Sequence, residues 1–174
     1  MLDTETELAE VYLRPGDAYL TRQPTIIRTL LGSCVGVTLW VPRLGWGALC
    51  HALLPNCPKS PRCGFTVADG YRYVDFSIRD LARQFDELGA LRSEVEVKLF
   101  GGSDVLPISG GATRRATIGK QNCEVALEVV SAEGFRLAAS SLGGTRGRHI
   151  QFNTRSGEVG LRWLPRADLE WSFE

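Results

Sequence analysis

The chain has 174 residues and sets twenty Lys and Arg against twenty Asp and Glu, for a formal net charge of zero. That length suits one compact domain, and the lack of a basic excess or an acidic block argues against a nucleic-acid wrapper or a charged disordered tail. No apolar run approaches the roughly 18 residues of a membrane span. The polar, acidic start from Met1 to Glu10 is not a signal peptide, so a cytoplasmic protein without membrane insertion is expected.

Residues 1–10 are read as a flexible N-terminal segment of a single domain spanning 1–174. Glu10–Leu13 predicts a short strand stopped by Pro15-Gly16-Asp17, and Ala18–Leu20 predicts another. Pro24 then favours an extended approach into Thr25-Ile26-Ile27. The clearest hairpin runs from Cys34 to Pro55. Val35, Val37, Leu39 and Val41 alternate with Gly36, Thr38 and Trp40, a turn follows at Pro42–Gly45, and the return strand runs from Trp46 to Leu54.

Within this hairpin a cysteine follows a Gly32-Ser33 corner and a histidine, His51, comes back toward it. A loop centred between Arg43 and Leu44 puts Cys34 opposite Leu53 and Gly36 opposite His51. Cys34 and His51 are then diagonal neighbours on one face, about 7–8 Å apart. Gly36 would leave the imidazole room to lean toward the thiol. A one-residue slip would send the pair to opposite faces.

Further along, Asn56 to Gly70 reads as a loop carrying Cys57 and Cys63. A helix is predicted from about Asp75, as its cap, to Leu88, with Ile78, Leu81, Ala82 and Phe85 on one face and Gly89 as the stop. Val95–Leu99 reads as a half-buried strand ending at Gly101-Gly102, followed by a Gly-rich loop at Ser109–Gly111. Gly119 to Glu133 predicts a second helix with Cys123, Ala126, Leu127 and Val130 inward. Strands are then expected at Arg136–Ser140, His149–Asn153 and Glu158–Leu164. The sum is an α+β domain with many short strands and two main helices.

Five cysteines, an odd number, in a chain without export signals argue for thiols rather than disulfides. An isolated cysteine is commonly a small buried hydrophobe. The corner before Cys34 and a histidine within hairpin reach point instead to a nucleophile with a general base. Backbone N–H groups at that corner suit an oxyanion. Cys50, His51, Cys57 and Cys63 raise a metal site as a rival, but their spacing is not CxxC, and Cys50 and His51 face opposite sides of a strand. The pairs Arg114/Arg115 and Arg146/Arg148 read as solvated loops, His149 as structural or exposed, and Gly101-Gly102 and Gly143-Gly144 as backbone turns lining a pocket.

The runs Thr29-Leu30-Leu31-Gly32-Ser33-Cys34-Val35-Gly36-Val37 and Gly47–Pro55 resemble the signature of the CheD family, the chemoreceptor glutamine deamidases of bacterial chemotaxis. The likeness continues through Tyr73-Val74-Asp75, Phe100–Ser103, Ile118–Asn122 and Leu142–Arg148 to Gly157. It implies a layered β-sandwich flanked by helices, like the catalytic domain of cytotoxic necrotizing factor toxins. It also implies Cys34 as nucleophile, His51 as its activating base, and a threonine shortly before the cysteine as third member. Thr29, five residues before Cys34, takes that place if the loop is one residue shorter than in members with a spacing of six, where Arg28 stands. The implied reaction converts receptor glutamines to glutamate through an acyl-enzyme and needs no cofactor; hydrolysis of glutamyl methyl esters follows from the same chemistry. The implied partners are methyl-accepting chemotaxis receptors and a CheC-like phosphatase. An adaptor without catalysis, and a redox- or zinc-responsive protein using Cys50, Cys57 and Cys63, are the competing readings.

Overall fold

The structure, a computed structural model, describes residues 8–60, 63–105 and 116–165. Its strands are β1 (Ala9–Tyr12), β2 (Ala18–Thr21), β3 (Thr25–Leu31), β4 (Val35–Val41), β5 (Trp46–Ala52), β6 (Glu96–Gly101), β7 (Arg136–Leu142), β8 (Arg148–Asn153) and β9 (Val159–Trp163). They form a four-stranded sheet in the order β1-β3-β8-β9 and a five-stranded sheet in the order β2-β5-β4-β6-β7. Both sheets are mixed, with β1 parallel to β3 and β6 parallel to β7. The helices are α1 (Val67–Gly70), α2 (Val74–Glu87) and α3 (Ile118–Ala132).

Alternation along β4 explains the layering. Val35, Val37, Leu39 and Val41 point to one side and share a core with Ile78, Leu81, Ala82 and Phe85 of α2 and Ala126, Val129 and Val130 of α3. On the other side Trp40, with Leu49 of β5 and Phe100 of β6, packs against Ile27, Leu31, Ile150 and Phe152 of the four-stranded sheet. The five-stranded sheet is therefore the middle layer, covered by helices on one face and by the second sheet on the other. A central strand covered twice needs small or apolar residues at every position, which β4 has. Burying each large aliphatic or aromatic side chain in these cores contributes about 1.5–3 kcal/mol.

Some elements differ from the sequence expectation. The capping residue of α2 is Tyr73, not Asp75; Asp75 lies in the first turn and accepts hydrogen bonds from the Phe76 and Cys57 N–H groups. The inward face of α3 is Asn122, Ala126, Val129 and Val130, while Leu127 is exposed. Ala126 and Val130 lie inward as expected; Asn122 takes the place that apolarity alone assigns to Leu127. The loop from Asn56 to Gly70 contains α1, closed by a Thr66–Asp69 capping box. Residues 1–7, the Ser109–Gly111 loop, Arg114 and Arg115 lie outside the described residues.

Candidate active site

The hairpin register is the one that brings the cysteine and histidine to a common face. Gly36 pairs with His51 and Val35 with Ala52, so Cys34 sits one step beyond the last ladder pair, with the same side-chain parity as His51. Cys50 goes to the helix side, and Cys34 packs against the core between the sheets. The space above Gly36 is not kept for the imidazole: a Cβ there would meet Leu31 Cδ1 at 3.0 Å and Ile150 Cδ1 at 3.4 Å. Gly36 makes room for the opposing sheet.

His51 is 2% exposed. Its main chain is held by the β1–β2 turn, with its N–H donating to Asp17 O at 2.9 Å and its carbonyl accepting from Gly16 N–H at 2.7 Å. Its Nδ1 lies 2.7 Å from Thr29 Oγ1, and that same hydroxyl donates to Leu13 O at 2.9 Å. A threonine hydroxyl has a single proton. With that proton given to Leu13, Thr29 can only accept from His51, so Nδ1 carries the ring proton and Nε2 keeps a lone pair. Nε2 is buried and meets no hydrogen-bond partner among the described residues. The neighbouring Arg28 instead turns outward to Glu10 and Gln151, at 2.6 and 3.0 Å. Thr29, not Arg28, meets the histidine.

Burial lowers the His51 pKa to about 4, against a smaller opposing pull from the Asp17 carboxylate. Burial also raises the Cys34 thiol above its ordinary value, partly offset by its own backbone N–H. At neutral pH the two groups are thus a thiol and a neutral imidazole, not a preformed ion pair.

Cys34 lies in the connection Gly32-Ser33-Cys34, by which the chain leaves the four-stranded sheet and enters the five-stranded one. The end of β6 shapes this crossing. Gly102 N–H donates to Cys34 O at 2.8 Å, and Ser103 N–H donates to Gly32 O at 2.9 Å. A Cβ on Gly101 would collide with the Cys34 carbonyl, and φ values of 104° and 67° at Gly101 and Gly102 suit glycine alone. Among the described residues the Ser33 N–H meets no main-chain acceptor and the Cys34 N–H meets only its own thiol, so both point where an oxyanion formed at Cys34 could accept from them. An apolar recess lined by Leu30, Gly32, Val105, Thr145 and Leu164 opens beside this connection.

Arg148 overturns the expectation of a solvated loop. It is fully buried, donates to the Ser141 and Gly143 carbonyls and to Ser103 Oγ at 2.8 Å, and stacks on Trp163 at 4.6 Å. Ser103 passes the link on to Gly143 O and Arg146 O. This knot fixes the turn after β7 and, through Ser103, the crossing that carries Cys34. His149 is half-buried on the outer face of its sheet beside Arg28 and Arg162.

Of the remaining cysteines only Cys123 borders the crossing, its Sγ lying 3.9 and 3.7 Å from the Gly101 and Gly102 carbonyl oxygens. Cys50 is fully buried with its thiol pushed up to about 12, Cys63 is exposed, and Cys57 and Cys123 are half-buried. Among the described residues no three His, Cys, Asp or Glu side chains gather as a metal site would require, and no helix is long and apolar enough to cross a membrane. Sequence reasoning missed Leu13, because a carbonyl acceptor leaves no residue-type signal.

Residues 53–163 match the family model described as CheD chemotactic sensory transduction. The chain is 41% identical over 164 residues to the probable chemoreceptor glutamine deamidase CheD 2 of Geobacter sulfurreducens, covering 94% of this chain and 96% of that protein. It is 37% identical to the probable chemoreceptor glutamine deamidase CheD of Maridesulfovibrio salexigens, covering 95% and 98%. Among solved structures it is similar to the Bacillus licheniformis hypothetical protein YfiH, with a TM-score of 0.49 at 10% identity, over 74% of this chain and 51% of that one. A likeness of that size carries no functional weight, and YfiH is not one of the toxins to which the resemblance pointed. By the matched family model and by relatives of this identity over nearly the whole chain, the protein belongs to the CheD family.

Proposed function

We propose that the protein is a chemoreceptor glutamine deamidase in which Cys34 is the nucleophile, His51 the general base and acid, and Thr29 the residue that orients the histidine. The observation that carries this reading is the Leu13–Thr29–His51 chain, which commits the imidazole to one tautomer and leaves Nε2 without a partner on the face shared with Cys34. Relatives at 41% and 37% identity bear the name of that activity.

The chemistry follows from the resting charges. As Cys34 Sγ attacks the glutamine carboxamide carbon, its proton passes to His51 Nε2, and the carbonyl oxygen becomes an oxyanion facing the Ser33 and Cys34 N–H groups. The imidazolium is stabilised by its Nδ1–H bond to Thr29 and by the Asp17 carboxylate. It returns the proton to the departing nitrogen, and ammonia leaves a thioester on Cys34. Water then attacks the thioester with Nε2 accepting its proton, releasing glutamate and restoring the thiol. A glutamyl methyl ester enters the same acyl-enzyme with methanol as leaving group. An open recess beside Gly32, not a deep pocket, suits a glutamine presented on a protein surface. The same reading places the protein in the cytoplasm and keeps the sandwich likeness to the necrotizing-factor catalytic domain.

The test is mass spectrometry of a receptor cytoplasmic domain incubated with wild type and with Cys34→Ala. Conversion of particular glutamines by wild type alone is the expected result. Receptor binding without conversion would replace the enzyme with an adaptor for receptors or for a CheC-like phosphatase.

A further inference from the structure

Asn122 has no part in the chemistry above, yet its side chain joins the two halves of the site. It is fully buried in α3, and its Nδ2 donates to Ser33 O and to Leu53 O, both at 2.9 Å. The first acceptor immediately precedes Cys34; the second lies two residues after His51. Both are carbonyl oxygens, which can only accept, so the orientation of the amide is fixed. Both also lie beyond Val35–Ala52, the last β4–β5 ladder pair. The amide therefore bridges two strand ends where main-chain pairing has stopped.

The helix that carries it is itself closely seated. Thr117 caps α3 by accepting from Lys120 N–H, and a Cβ on Gly119 would come within 2.7 Å of Gly102 O and 2.9 Å of Ser103 O. Those two residues are the ones that hold the Gly32–Cys34 crossing from its other side. The crossing thus has two kinds of support: main-chain bonds from the end of β6, and one side-chain amide that also grips the histidine strand.

We propose that Asn122 is a positioning residue for the deamidation: its amide bridges the Ser33 and Leu53 carbonyls and so sets the separation between the Cys34 thiol and the His51 imidazole. This inference rests on the reading of Cys34 and His51 as the reacting pair. The main-chain bonds from Gly102 and Ser103 survive loss of the amide, so the fold persists while the spacing of the pair loosens. A misplacement of about 1 Å in such a pair costs about a hundredfold in rate.

Asn122→Ala, Asn122→Asp and, as a stability control on the same helix face, Val129→Ala are compared with wild type. The readouts are kcat and KM on a receptor domain, thermal unfolding, and the pH dependence of Cys34 alkylation by iodoacetamide. Asn122→Ala is expected to lower kcat about a hundredfold with KM held within about twofold, and its alkylation to follow one isolated thiol titration without a limb from His51. Val129→Ala, though less stable, keeps its kcat wherever it is folded. Asn122→Asp, ionised at neutral pH, repels both carbonyls; as pH falls the protonated acid regains one donor, and its rate recovers relative to wild type. If Asn122→Ala fails to fold, the recovery of Asn122→Asp decides. A kcat for Asn122→Ala no lower than that of Val129→Ala, or an Asn122→Asp ratio that does not change with pH, overturns the inference. A wild type that converts no glutamine overturns the deamidase reading instead, and the alkylation profiles still judge the bridge.

Discussion

Thr29 and His51 belong to different sheets, and the 2.7 Å contact between Thr29 Oγ1 and His51 Nδ1 ties the two together beside Cys34. Because the threonine proton is spent on Leu13, the contact also specifies which ring nitrogen is protonated. Thr29→Val keeps the shape and removes the acceptor. It leaves a buried N–H and a buried carbonyl unpaired, at about 1–3 kcal/mol each, and frees the ring to change tautomer. The expected outcome is a kcat loss of about a hundredfold with lowered thermal stability, whereas Thr29→Ser retains most of both. Nitrogen NMR of His51 should report the Nδ1–H form in wild type and a mixture in the valine variant.

Activity should persist to unusually low pH. On the proposed assignment His51 is the base and serves only when neutral, and burial places its titration at about 4. The acid limb of kcat/KM is therefore expected near pH 4, not near the ordinary histidine value of about 6.5. A limb near 6.5 would mean that His51 is solvated in the free enzyme.

The same shift makes stability depend on pH. An imidazole that titrates at about 4 when folded and near 6.5 when unfolded lets the unfolded chain take up the proton first. Its contribution is complete above about pH 6.5 and declines as pH falls toward 4, by about 3 kcal/mol over that window. Denaturant unfolding at pH 7 and pH 4.5 should show wild type losing more stability than His51→Gln.

Arg148 is a buried cation with no carboxylate partner among the described residues, bound instead to Ser141, Gly143, Ser103 and the face of Trp163. Arg148→Met should cost about 3 kcal/mol by releasing that set of acceptors. Arg148→Lys should recover little of it, since an ammonium cannot serve two groups of acceptors from one plane. Chemical denaturation of the two variants measures both effects.

Much of the hairpin was legible because its physics is local. Alternation from Val35 to Val41 and a turn at Pro42–Gly45 determine parity, and parity alone decides whether Cys34 and His51 share a face. The Gly89 and Gly134 stops were visible for the same reason, as positive-φ positions after helical runs. What escaped depends on distant partners. Leu13 acts through a main-chain oxygen, Arg148 reads as a solvated loop residue until Trp163 and Ser103 surround it, and Gly36 yields its space to Leu31 and Ile150 of the opposing layer. The inward Asn122 on α3 breaks the apolar periodicity, so the sequence pattern yields Ala126 and Val130 but puts Leu127 inward in place of Asn122.

The crossing from β3 to β4 has a consequence for biosynthesis. Thr29, Cys34 and His51 all emerge from the ribosome within the first third of the chain, but the groups that shape the crossing, Gly101 to Ser103 and then Arg148, follow much later. If these three are the reacting set proposed above, a polypeptide that stops before Gly101 carries all of them without the groups that shape the crossing. On the proposed assignment, competence therefore waits until Arg148 has been added.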